Sequence, residues 1–123
     1  MNLLLIAIGG AVGSVCRYLL SSAVLRAAGT LFPAGTFAVN AVGCLVFGVV
    51  AGATYERLTL SPDARALLLA GVLGGFTTFS SYMNESFVLL RTGQFAWAGI
   101  NLVGQVVVGL VLFWLGFSVA SLR

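Results

Sequence analysis

The chain has 123 residues, six of them basic and three acidic, with no Lys and no His. Hydrophobic residues make up 60% and the mean hydropathy is +1.12, outside the range of a soluble globular domain. This composition leaves no basic face for nucleic acid, no histidine metal site and no imidazole proton relay, and it points to a lipid environment.

Four apolar stretches run from Leu3 to Leu25, Gly35 to Thr54, Ala66 to Leu90 and Phe95 to Ala120. Each reaches the ~20 residues needed to cross a bilayer core. The links between them are short, so the expected architecture is a single all-α transmembrane domain over residues 1–123. The first stretch reads as a retained helix, because its apolar run begins at Leu3 and the first Arg comes only after it has begun.

In the first span Gly9, Gly10 and Gly13 precede Arg17. An arginine inside a membrane helix is costly and faces protein, water or the interface. Arg17 therefore either snorkels and caps a neighbour's carbonyls or lines a vestibule and attracts an anion. Cys16 and Cys44 sit inside spans and read as small buried hydrophobes. In the second span Asn40 is the only amide, following Gly35 and Thr36. It either braces neighbouring helices or donates to a passing anion.

The third span contains GVLGGFTTFSSYMNES at residues 71–86. An unbroken helix over 66–90 would run ~37 Å at 1.5 Å per residue. Gly74-Gly75 and Thr77-Thr78 are poor helix formers near its middle and predict a break. Breaks at membrane depth persist only where the freed backbone is buried in protein or lines a cavity. Carbonyl ends of half-helices suit a cation and N–H ends an anion. At ~100° per residue, Thr78, Ser81, Tyr82 and Glu85 share one side of the following helix, Phe79 flanks them, and Ser80 and Met83 point away. In the fourth span Asn101 and Gln105 are four residues apart and form a second polar stripe, suited to inter-helix hydrogen bonds or to the other wall of the same path.

The inventory along this path is neutral donors and aromatic rings, whose edges are electropositive. A small anion, water or a polar neutral solute would all suit it. With four spans, Arg57, Arg65 and Arg123 fall on one side of the membrane and Arg26 and Arg91 on the other. Basic residues normally mark the cytoplasmic side, and this near-balance points either to insertion in both orientations or to a weak bias resolved by a partner or by the N-terminal span. GxxxG spacings at Gly9–Gly13, Gly48–Gly52 and Gly71–Gly75 offer faces for close helix packing and point to a dimer. No nucleophile–base pair, metal set or nucleotide loop is visible, so an enzyme is not expected.

GGFTTFSSYMNE at 74–85, GTFAVNAVG at 35–43 and GGAVGSVCRY at 9–18 together resemble the Fluc family of microbial fluoride channels, and all four spans fit its layout. The resemblance implies an antiparallel, dual-topology homodimer with two pores in the cell's inner or plasma membrane, passing fluoride passively. It implies a structural Na+ where the broken third helices cross, bound by backbone carbonyls at Gly74 and Thr77. The two pore phenylalanines map to Phe79 and Tyr82; the latter departs from the family pattern, keeping a ring and adding a hydroxyl. The pore asparagine maps to Asn40, the vestibule arginine to Arg17 and the pore-lining acid to Glu85. Ser80 and Ser81 match the hydroxyl track beside Thr78, with Ser81 favoured by the helical wheel. Asn101 and Gln105 match the fourth-helix polar positions, Gln105 replacing a small hydroxyl residue.

Two other classes compete. A small dual-topology, proton-coupled exporter of cationic compounds needs a membrane-embedded carboxylate. Glu85 is the sole acid inside a span, and it lies late in the third rather than mid-first. A non-transporting anchor subunit would account for the glycine faces but not for the polar stripes.

Overall fold

The computed structural model describes residues 2–56 and 59–122. Arg57 and Arg123, two of the arginines in the sidedness count, lie outside the described residues. Among the described residues four helical spans are long and apolar enough to cross a membrane, and the chain is a multi-pass membrane protein. They comprise α1 (Asn2–Ala28), α2 (Ala34–Glu56), a composite third span over Pro62–Arg91, and α6 (Phe95–Ser121).

The third span starts four residues before its apolar run. Ser61 caps it, its Oγ accepting from the Ala64 N–H at 3.2 Å, and Pro62 occupies the first turn, where its missing N–H costs nothing. A short α3 (Pro62–Arg65) leads into a π-helical stretch over Ala66–Leu73 and then α4 (Gly74–Phe76). Regular α-winding was the expectation for 66–73. The wider π backbone fits here because it lies against Gly9 and Gly13, which have no side chains to exclude it. The chain then breaks. Thr77 and Thr78 are extended, with φ/ψ of −85/156 and −150/117, before α5 resumes over Phe79–Arg91. The break thus falls on the threonine pair, while Gly74 and Gly75 remain helical.

The glycine faces are used within the chain. A Cβ on Gly13 would overlap the Val72 carbonyl oxygen and lie 2.9 Å from the Phe76 nitrogen. One on Gly71 would lie 2.9 Å from the Gly9 Cα, and one on Gly75 2.6 Å from the Gly10 carbonyl oxygen. So the first and third GxxxG motifs pack α1 against the first half of the third span. Gly48 and Gly52 of α2 sit on the Phe113 and Phe117 carbonyls of α6 in the same manner, and Gly116 returns the contact beside Leu45 and Val49. Backbone approach of this kind supplies helix association in lipid, where the hydrophobic effect does not.

α5 closes at Gly93, whose φ of +76° only glycine adopts without strain. The Gly93 and Gln94 N–H groups bond back to Leu90 and Leu89, which turns the chain directly into α6. Aromatic rings gather at the helix ends: Phe32 lies 5.2 Å from Trp97 at one end, and Tyr55 lies 5.7 Å from Phe117 at the other. Such belts match the two membrane interfaces. Large apolar side chains along the spans, among them Leu4, Val103, Leu110 and Trp114, are exposed as lipid requires.

A candidate site in the cavity at the helix break

A broken helix leaves peptide groups without partners, and in a bilayer each must find one. Asn40 of α2 supplies partners for Thr78. Its Oδ1 accepts from the Thr78 N–H at 2.9 Å, and its Nδ2 donates to the Thr78 carbonyl at 3.0 Å. The carboxamide thus mimics a peptide and pairs with both backbone groups of the residue at the break. Nδ2 also donates to Gln105 Oε1 of α6 at 2.8 Å.

Thr78 caps α5. Its Oγ1 accepts from the Ser81 N–H at 3.3 Å and donates to Ser81 Oγ at 3.0 Å. Two carbonyls at the break lack the i+4 donors that a continuous helix would give them, through these diversions. In a continuous helix Thr78 N–H would serve the Gly74 carbonyl and Ser81 N–H the Thr77 carbonyl. Here the first goes to Asn40 and the second to Thr78 Oγ1.

Beside the break lies an open cavity of roughly 410 Å³, lined on its polar side by Asn40, Thr77, Thr78 and Gln105 and on its aromatic side by Phe79, Tyr82, Phe47 and Phe113. Among the described residues no charged side chain lines it. Phe79 is 72% exposed in the single chain and stands edge-on to Tyr82, with ring centroids 5.7 Å apart and planes at 66°. Tyr82 is buried, and its hydroxyl donates to the Leu102 carbonyl of α6. The one proton of that hydroxyl is therefore committed, and what Tyr82 presents to the cavity is its ring.

Behind the cavity the polar residues continue inward. Gln105 Nε2 donates to Asn101 Oδ1 at 2.9 Å, Asn101 Nδ2 to Ser86 Oγ at 2.9 Å, and Ser86 Oγ to the Tyr82 carbonyl at 2.8 Å. Asn101 is fully buried and does not line the cavity, whereas Gln105 does. Glu85 also lies off the cavity. Thr36 Oγ1 donates to its Oε1 at 2.6 Å, and its buried Oε2 has no partner among the described residues. Ser80 is exposed, Ser81 half-buried, and Arg17 half-buried with no hydrogen-bond or ion-pair partner among the described residues.

Two polar residues of this cluster were not singled out from the sequence. Thr36 lies four residues before Asn40, on the same face of α2. Ser86 lies four after Tyr82, in phase with buried Tyr82 and Leu89. Each was legible as an i, i+4 companion of a residue already chosen.

A family model described as CrcB-like protein, Camphor Resistance (CrcB), matches residues 4–117. A protein of Maridesulfovibrio salexigens named fluoride-specific ion channel FluC is 49% identical, covering 97% of this chain and 94% of that relative. Proteins with the same name from Methylobacillus flagellatus and Solibacter usitatus are 48% and 43% identical, each match covering 98% of this chain and respectively 95% and 98% of the relative.

Proposed function

Because the chain belongs to the CrcB-like protein family, we propose that it is a fluoride channel that lets the ion leave passively, down its gradient, across the cell's inner or plasma membrane. The observation that carries this reading is the uncharged wall of the cavity, in which two amides, two threonines and four aromatic rings converge. Conduction needs binding strong enough to admit an ion and weak enough to release it. A fixed arginine in the wall would hold a small anion, and a fixed carboxylate would repel it. Neutral donors and electropositive ring edges do neither.

The roles follow from the contacts. Phe79 and Tyr82 offer ring edges. Asn40, Thr78, Ser81 and Gln105 form the donor side, Ser81 accepting from Thr78 and keeping its own proton free among the described residues. Ser80 continues the track along α5, Asn101 supports it from α6, Glu85 stands off the cavity against Thr36, and Arg17 draws anions toward the mouth.

The working unit on this reading is an antiparallel homodimer with two pores. Ser80 and Asn84 are four residues apart on α5, and both are exposed. Ser80 lies about 16 Å along the helix from Arg91, well inside the bilayer. Polar groups at that depth call for a polar neighbour, and a second, inverted copy supplies one. The same dimer accounts for the central cation. The Gly74 and Thr77 carbonyls, released by the diversion of their donors, are the hard oxygen ligands that a structural Na+ takes. Two oxygens from one chain are too few, and a second chain doubles them. Bound there, Na+ would fix the crossing of the two broken spans.

Purified protein in liposomes loaded with fluoride tests the function. Fluoride release, read with a selective electrode, is expected to be fast and indifferent to a proton gradient. Chloride release at a similar rate would refute a fluoride channel, and flux that follows the proton gradient would favour the coupled exporter instead.

A further inference from the structure

Five hydrogen bonds run from the helix break through α2 and α6 and back to α5, all pointing the same way. Thr78 N–H donates to Asn40, Asn40 to Gln105, Gln105 to Asn101, Asn101 to Ser86, and Ser86 to the Tyr82 carbonyl. The direction follows from the first link. A backbone N–H can only donate, so it sets which end of the Asn40 amide faces it, and each amide then orients the next.

The consequence falls on Asn40. Its Nδ2 carries two protons, one given to the Thr78 carbonyl and the other to Gln105 Oε1. An anion arriving from the cavity meets no free N–H on that amide. The two acceptors differ in how readily they yield. The Thr78 carbonyl is backbone, held by its reciprocal bond to the same amide. Gln105 Oε1 sits at the tip of a flexible side chain, and Gln105 lines the cavity.

We propose that Gln105 is a positioning residue that sets the barrier to anion passage: it holds the second Asn40 N–H, and that donor turns to the anion only when Gln105 lets go. Asn101, buried behind the cavity, sets how firmly Gln105 is held through its bond to Nε2. The inference rests on the channel reading above and adds to it the residue that tunes the rate.

The test is fluoride release from liposomes across a range of fluoride concentrations, with wild type, Gln105→Ser and Asn101→Leu side by side. Gln105→Ser removes the competing acceptor. The concentration for half-maximal release is expected to fall by roughly fivefold, the equivalent of one neutral hydrogen bond. Asn101→Leu leaves Gln105 present but untied, and a smaller fall in the same direction is expected. A packing role alone moves release down together with thermal stability and leaves the half-maximal concentration where it was. Variants that assemble at the wild-type size and show no lowered half-maximal concentration overturn the proposal. So does failure of both to assemble, because the pair would then be structural. Wild-type protein that releases no fluoride would instead sink the channel reading itself.

Discussion

Replacing Asn40 with leucine, which has nearly the same shape and no polar atoms, tests whether the break is held by side-chain mimicry of a peptide. Three groups lose their partner: the Thr78 N–H, the Thr78 carbonyl and Gln105 Oε1. A buried polar group left unpaired costs about 1–3 kcal/mol, so the sum is about 3–9 kcal/mol. Inter-helix hydrogen bonds in membranes average about 0.6 kcal/mol, which sets a floor near 2 kcal/mol for three. The chain has one way to recover, which is to return the Thr78 N–H to the Gly74 carbonyl and close the helix. Asn40→Leu is therefore expected either to melt well below wild type in detergent or to straighten the span, with slowed hydrogen exchange at the Thr78 amide. In both cases fluoride release stops. Asn40→Asp separates bracing from charge. It keeps the acceptor for Thr78 N–H, sets oxygen against oxygen at the two remaining contacts, and adds a negative charge that repels the anion. An Asn40→Leu protein with wild-type melting, wild-type exchange at Thr78 and wild-type release would refute the reasoning.

Gly13→Ala forces a methyl into the Val72 carbonyl and should lower stability by roughly 1–3 kcal/mol. Gly10→Ala, with nothing within 4 Å of the new carbon, should stay within about 0.5 kcal/mol of wild type; thermal melting of the two compares them. Phe79→Ile changes a ring that is 72% exposed in the single chain, so the fold is expected to survive while fluoride release drops sharply. Retained release would rule out a role for the ring edge. Thr36→Val removes the only hydrogen-bond partner Glu85 has among the described residues and should cost about 1–3 kcal/mol of stability, with Thr36→Ser restoring it in the same melting assay.

Much of this was legible in the sequence, and the limits have physical causes. The spans announce themselves because each apolar run exceeds the bilayer thickness. The third begins earlier than hydropathy indicates because Ser61-Pro62-Asp63 is a helix-start signal made of polar residues. The break was legible to within a few residues, yet weak helix formers alone did not locate it. Gly74 and Gly75 stay helical, and Gly75 must do so to lie on the Gly10 backbone. The chain parts where a substitute hydrogen-bond partner waits, and that partner is 38 residues away in sequence. Helical phase brought Thr78 to Ser81 because it is local, and Tyr82 lines the cavity beside Thr78, but Glu85, expected on the same side, turns to Thr36 and lies off the cavity. Gln105 was legible as a neighbour of Asn101 but not as the ligand of Asn40, 65 residues distant. The GxxxG spacings marked adhesive faces without saying what adheres. Here the first and third find each other within one chain, so they do not bear on a dimer.

The same two side chains serve both halves of the proposed mechanism. Asn40 and Thr78 divert the donors that would otherwise occupy the Gly74 and Thr77 carbonyls, and both line the cavity. On the proposed reading, freeing oxygens for the cation and building the donor wall for the anion are one structural act. Changes at Asn40 should then disturb both functions. Changes at Gln105, which touches the wall and not the diverted peptides, should disturb only the anion path. Stabilisation of the detergent-purified protein by Na+ over a large organic cation is the readout for the first function, and fluoride release for the second. An Asn40→Leu protein that kept full stabilisation by Na+ while losing fluoride release would show that the two sites are built independently.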